Sequence, residues 1–244
     1  MIKNILYSLL IILLTAYAIT MMIVLPQEST PSALCEEMII TINTHESEQI
    51  FTPEEITAKV ARSSANPIGK EWKEVDLKAL EKTMEDYSIY TTIMAFKTNN
   101  DKIHLVLTQR EPICHIIGSH GSFYLDSDGK AFESSSPFGK HIAIATGEIT
   151  KEYATESLLP LIELIRNDSF WNRQIQQINV LKNGDIELSP TVGEHRIILG
   201  KPKDLDEKFD QLKRFYFDGL AEIGWNRHSI INIKYRDQIV CTKR

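Results

Sequence analysis

The residues with chemistry to offer are few, and their spacing suits catalysis poorly. Cys114-His115 sets a thiol beside an imidazole, the components of a nucleophile and its base. On a strand, adjacent residues point to opposite faces, so the two cannot serve one reaction, and a buried Cys with a surface His is expected. Ser119-His120-Gly121 would need a nucleophilic cysteine directly after it for acyl transfer, but Ser122 and Phe123 stand there. Asp126-Ser127-Asp128-Gly129 has two acids before a glycine, whereas a calcium loop needs further donors and a bidentate acid at its end, so a hairpin turn is expected. The seven histidines make no HExxH and no pair at helical spacing. No phosphate-binding glycine loop occurs, and Glu36-Glu37 and Glu54-Glu55 read as surface and helix-start acids. Trp72, Trp171 and Trp225 with Phe215 and Tyr216 could form a cage, although aromatics at helical spacing usually belong to a core. No catalytic residue, metal site or cofactor site is predicted.

What remains is backbone chemistry. Ile231-Asn232-Ile233-Lys234-Tyr235 and Gln238-Ile239-Val240 read as two strands at the chain end, where one side of a sheet is often free. An unpaired edge is a template for another chain's strand. The competing reading is an ordinary edge protected by Lys234, Arg236 and Asp237.

Two sets of elements would position that edge. A strand at Met38–Asn43 is followed by Phe51-Thr52-Pro53-Glu54-Glu55, where Thr52 suits a cap, Pro53 the first helical turn and Glu55 a capping box. Ile56 and Val60 give that helix its apolar face. Asp76 caps a second helix with Leu77, Leu80, Met84 and Tyr87 on one side. A hairpin follows, Ile93–Lys97 and Ile103–Leu107 around Asn99-Asn100-Asp101. The order strand–helix–helix–strand–strand makes a compact α+β unit.

Beyond Glu111 strands dominate. Ser122–Leu125 pairs with Lys130–Phe132, His141–Ala145 follows, and a helix over Lys151–Asn167 should break or kink at Pro160. Ile175–Leu181, Ile186–Leu188 and Glu194–Leu199 form a meander turning at Asn183-Gly184. A helix over Asp204–Leu220 precedes the terminal strands, Ile230–Tyr235 and Gln238–Cys241.

Residues Ile5–Leu25 carry no charged side chain. Twenty-one residues make roughly 30 Å of helix, enough to cross a bilayer once. Lys3 precedes the run and Glu28, Glu36 and Glu37 follow it, which favours a cytoplasmic N-terminus. Ala16-Tyr17-Ala18 has the form of a signal-peptidase site, but the apolar run continues through Ile19–Val24, so an uncleaved anchor is the expectation. Leu34 before Cys35 argues against lipidation there. Past residue 26 the chain carries 26 basic and 33 acidic residues, a net charge of −7 without basic blocks, which argues against nucleic-acid binding. Its three cysteines, Cys35, Cys114 and Cys241, allow one bridge at most, and the sequence does not select the pair.

Several stretches together resemble a known family. Leu105-Val106-Leu107-Thr108-Gln109-Arg110-Glu111-Pro112-Ile113 resembles the strand ending in Glu-Arg-x-Pro of the bacterial division family FtsQ/DivIB, with Gln109 before Arg110 and Glu111 inserted before Pro112. Tyr124–Phe132 is similar to that family's Tyr-Asp-Gly hairpin, and Gly147 to the glycine that closes it. Phe170–Ile175, Asn183–Leu188, Ile197–Gly200 and Ile231–Arg244 resemble its Bacteroidota branch. The first unit resembles a POTRA module.

The resemblance implies residues 1–4 as a cytoplasmic end, 5–26 as a transmembrane helix and 27–35 as a linker. It further implies a POTRA-like βααββ domain over 36–111 and an FtsQ-type, mostly antiparallel β domain with flanking helices over 112–244. By the same resemblance the protein is a non-enzymatic scaffold at the division septum, held in the inner membrane with its C-terminal domain periplasmic. It would bind the FtsB and FtsL homologues and other divisome proteins, with no cofactor and no small-molecule substrate. An FtsB strand added beside the terminal strands makes Ile231, Ile233, Lys234, Tyr235, Asp237, Gln238 and Val240 the expected partner-binding residues. The family's Arg-Tyr pair falls on Lys234-Tyr235, and lysine keeps the charge but not the bidentate fork. The alternatives are a POTRA-type module of envelope assembly or secretion, or a cell-wall enzyme.

Overall fold

Thr52, Pro53 and Glu55 start the first helix as their side chains require. Thr52 Oγ1 accepts from the Glu55 N–H at 3.3 Å, and Glu55 Oε2 accepts from the Thr52 N–H at 2.8 Å. The computed structural model describes residues 11–18, 34–45, 48–98, 102–138, 142–220, 222 and 224–244. Helix α1 runs Pro53–Ala61 and α2 Leu77–Glu85, the latter capped by Asp76 Oδ1, which accepts from the Ala79 N–H at 3.0 Å. Strands β1 (Glu37–Asn43), β2 (Tyr90–Lys97) and β3 (Lys102–Gln109) form a sheet in the order β1-β3-β2. β1 lies parallel to β3, and β2 antiparallel to it. β3 alternates strictly: Ile103, Leu105 and Leu107 face a core with Ile56, Val60, Leu80 and Met84, while His104 and Val106 face away. The anticipated βααββ order is present.

The second sheet has nine strands: β4 (Pro112–Gly118), β5 (Gly121–Asp126), β6 (Ala131–Phe132), β7 (Ala143–Gly147), β8 (Ile175–Val180), β9 (Ile186–Pro190), β10 (Arg196–Gly200), β11 (His228–Asn232) and β12 (Val240–Lys243). Their spatial order is β12-β11-β10-β9-β8-β7-β4-β5-β6. β8, β9 and β10 are the expected meander, whereas β4–β7, β7–β8 and β10–β11 are parallel pairs. Helices α3 (Leu159–Asn167), α4 (Trp171–Gln174) and α5 (Leu205–Arg214) supply Ile162, Trp171 and Phe209 to the core that the sheet shares with Leu125, Ile178, Leu188 and Ile231.

Two local features follow from single residues. Pro160 has no N–H and its ring crowds the preceding turn, so the chain widens to a π-helical turn over Ala154–Leu158 before α3. Gly147 has φ +107°, and a Cβ there would lie 2.0 Å from the Val180 carbonyl oxygen, so only glycine lets β7 approach β8 so closely.

The two units share a junction. Tyr124, Phe132 and Phe138, all beyond Pro112, are buried in the core of the first unit. Arg110 Nε donates to the Ser88 carbonyl at 2.9 Å and Nη1 to Asp126 Oδ2 at 2.7 Å. Asp126 Oδ1 accepts from the N–H groups of Asp128 and Lys130 at 3.0 and 2.7 Å, the hairpin turn read from its sequence.

Of the predicted span 5–26, residues 11–18 are helical. The rest of that span, the spacer residues 27–33 and the turn Asn99-Asn100-Asp101 lie outside the described residues. Among the described residues no helix is long and apolar enough to cross a membrane. The terminal strands begin and end elsewhere than the sequence reading places them. Asn232 Oδ1 accepts the Lys234 N–H at 2.9 Å, a local bond that ends β11 at Asn232. Lys234, Tyr235, Asp237 and Gln238 therefore lie in the connection, with Asp237 at φ +62°.

Candidate functional site: the terminal sheet edge

β12 is the last strand of the larger sheet, and the parity of its neighbour decides which of its groups are free. The Ile233 N–H donates to the Ile198 carbonyl at 2.9 Å, so odd-numbered residues of β11 turn their polar backbone toward β10. Even-numbered ones then turn toward β12, making Asn232–Val240 and Ile230–Thr242 the hydrogen-bonded pairs. The intervening pair, Ile231–Cys241, points its N–H and C=O groups apart. Cys241 thus presents its backbone groups off the sheet; beyond it the register shifts between His228 and Ile230, and the Lys243 carbonyl accepts from Ser229 Oγ at 3.4 Å. Side chains alternate in the same way: Cys241 packs with Ile239 against the core, and Val240 and Thr242 stand on the open face beside Asn232 and Ile230.

Two other edges, β2 and β6, are better protected. In β2 the Ala95 N–H is taken by Glu81 Oε1 at 2.8 Å, a carboxylate reaching across from α2. β6 is two residues long, and Phe132 within it is buried in the first unit's core.

Each predicted partner-binding residue now has a place. Ile231 and Ile233 are fully buried and belong to the core, so their side chains do not reach the surface. Tyr235 and Val240 are exposed by 50 % and 45 %. Asp237 and Gln238 are exposed in the turn. Lys234 is exposed, but its ammonium lies 2.7 Å from Asp185 Oδ2. That ion pair, with Lys201 3.6 Å from Asp185 Oδ1, holds the Asp185 carboxyl below the usual carboxylate range and raises Lys234. The sequence reading ended the last strand at Cys241, short of Thr242 and Lys243, and counted none of the three among the partner-binding residues; no local signal marks them, because the parity depends on which strand pairs with which.

A cavity of ≈ 670 Å³ lies beside this turn, between α5 and the 234–237 segment. Arg236 forks onto Glu207 at 3.0–3.2 Å, and Lys208 donates to the carbonyls of Leu199 and Lys201 at 3.0 Å each. Burial pushes the Lys208 pKa down.

The remaining candidates separate. Cys114 is fully buried, and burial pushes its thiol up to about 12, while His115 stacks on Tyr124 across the opposite face at 4.4 Å. Ser119 and His120 both contact Glu148 Oε1, at 2.9 and 3.1 Å, a residue the sequence reading had not paired with them. Trp171 and Tyr216 are core residues, Trp225 packs on Tyr216, and Trp72 lies in the other unit, so no common cage forms. Among the described residues no group of three or more His, Cys, Asp or Glu could hold a metal ion.

Residues 33–108 match the family model of a POTRA-like domain, the unit built from β1–β3 and the first two helices. A comparison with curated proteins gave no match. Residues 111–242 match the model described as FtsQ/DivIB, C-terminal related, a stretch that takes in all but the last residue of the nine-stranded sheet. Because that match alone spans more than half of the chain, the protein belongs to the FtsQ/DivIB family.

Proposed function

We propose that this chain is a non-enzymatic scaffold of the divisome. Residues 5–26 cross the inner membrane, residues 1–4 stay in the cytoplasm, 27–35 form a linker, and the domains over 36–111 and 112–244 stand in the periplasm. There the protein binds the FtsB and FtsL homologues and links early division proteins to septal wall synthesis. The observation that supports this most is the open β12 edge, where Cys241 turns its backbone groups off the sheet, inside an FtsQ/DivIB-type domain. Ladder bonds to such an edge are largely indifferent to sequence, while Tyr235 and Val240 beside it supply choice of partner. A common membrane confines both proteins to a thin layer and raises their effective concentration.

Co-purification with the FtsB homologue of the same host tests the reading. Tyr235→Asp and Val240→Asp together should abolish recovery of the partner while the chain keeps its melting temperature. Full recovery by that folded double variant would sink the proposal. Ile233→Asp is the wrong variant for this purpose, because it places a charge in the core and unfolds the edge outright.

A further inference from the structure

We infer that the uncovered face of the three-stranded sheet rests on the lipid bilayer, with Ile39, Met94, Phe96 and Val106 set at the boundary between headgroups and acyl chains. This rests on the reading that residues 5–26 cross the membrane, and adds to it a second, peripheral contact made by the first unit.

The alternation of the strands assigns the two faces. Ile40, Leu105 and Ala95, and likewise Ile42, Leu107 and Ile93, point into the core that both helices cover. The residues between them face the other way. There Ile39, His104 and Phe96 stand in one row across β1, β3 and β2, and Thr41, Val106 and Met94 stand in the next. The Phe96 ring stacks on His104 at 5.5 Å, which confirms the shared face. Met94 and Phe96 are exposed by 48 % and 45 %. The solvated face of a sheet ordinarily carries polar side chains, so large apolar ones in adjacent rows mark a contact surface.

The order of the rows names the occupant. The chain enters the sheet at Glu37, beside Lys102, and these two pair at 2.5 Å as a neutral polar rim. The apolar rows come next, two and four residues from that entry, and the row after them, Asn43, Thr108 and Thr92, is polar. Apolar character therefore falls with distance from the tether. The tether is short, since residues 26–33 reach at most about 28 Å from the end of the span. A bilayer meets the tether end of the face first, whereas a soluble partner would meet every row alike. A patch of this size binds a bilayer weakly alone, but the span holds it beside one, and the two attachments reinforce each other.

Fluorescence quenching in proteoliposomes tests the contact. The full chain carries Cys241→Ser, which leaves the fully buried Cys35 and Cys114 as its other thiols. It is reconstituted in vesicles of phosphatidylethanolamine and phosphatidylglycerol. A nitrobenzoxadiazole label is attached through Thr41→Cys on the apolar face, or through Lys78→Cys on the exposed side of α2. Lipid spin-labelled high on its acyl chain should quench the Thr41 label about twofold more than the Lys78 label, or more strongly still. Phe96→Asp with Met94→Asp should remove that excess at an unchanged melting temperature. Phe96→Thr with Met94→Thr takes its place if the aspartates unfold the strand.

Equal quenching at the two positions, or an excess that the folded double variant retains, would overturn the inference. A Thr41 label left unquenched in these vesicles but shielded in native membranes would overturn it in favour of a protein partner. Chain that washes off the vesicles at alkaline pH would refute the membrane span itself, an outcome distinct from an anchored chain whose Thr41 label stays in water.

Discussion

Arg110 should hold the two units together, and replacing it with methionine tests how firmly. The substitution keeps the aliphatic stem and removes the guanidinium. Arg110 and Asp126 expose 15 % and 5 % of their side chains, so this is a largely buried pair. Removing one partner of such a pair costs about 3–5 kcal/mol. Asp126 keeps its two backbone donors, from Asp128 and Lys130, while the Ser88 carbonyl loses the Nε donor. The expected cost is therefore the lower end, about 3 kcal/mol, or a fall of about 6–12 °C in Tm for a domain pair of this size. Differential scanning calorimetry of the chain from residue 34 onward supplies the Tm, and Asp126→Asn closes a double-mutant cycle. Hydrogen exchange should quicken at both Ser88–Tyr90 and Asp126–Lys130. A Tm within about 2 °C of the parent, or strictly additive single and double variants, would refute the reasoning.

Three further outcomes follow from burial and backbone geometry. Native chain treated with iodoacetamide should gain a single adduct, at Cys241, since Cys35 and Cys114 are fully buried whereas Cys241 is only partly so; mass spectrometry before and after unfolding counts the adducts. Burial, aided by the nearby His228, holds the His195 imidazole below its ordinary value, against the opposing pull of the Trp225 carbonyl. The folded protein thus favours neutral His195, and stability should fall as pH drops below about 6.5, with a flatter Tm-against-pH curve in His195→Gln. Gly147→Ala meets the Val180 carbonyl oxygen and keeps a positive φ, so it should cost about 3 kcal/mol or more by chemical denaturation.

Much of the fold is legible in the sequence where short-range chemistry decides it. Thr52, Pro53, Glu55 and Asp76 state their caps within four residues, and the Asp126 and Asn183-Gly184 turns state their hairpins. Pro160 announces a break, although not that the relief would be a π-helical turn before it. The illegible part is set by distant pairing. β7 leaves its neighbours β5 and β6 in sequence and inserts between β4 and β8, a crossover no local pattern encodes. Ile231 and Ile233 flank Asn232 in an apolar–polar–apolar run, which declares one buried face and says nothing of the edge. Whether Cys241 or Thr242 points its backbone outward depends on Ile198, forty-odd residues earlier. Asn232 ends β11 through its own side chain, and so the strand stops short of Lys234.

The nine-stranded sheet has one end seated on the first unit at β6 and the other end open at β12. Strands lie about 4.8 Å apart, so eight intervals put the open end about 38 Å from the seated one. That reach is metered in whole strands. A hairpin inserted mid-sheet would lengthen it by about 10 Å, and the twist of about 20–25° per strand would swing the far edge by about 40–50° at the same time. Stand-off and bearing are therefore geared together in this architecture: a relative that lengthens its sheet to reach farther must also re-aim what it holds.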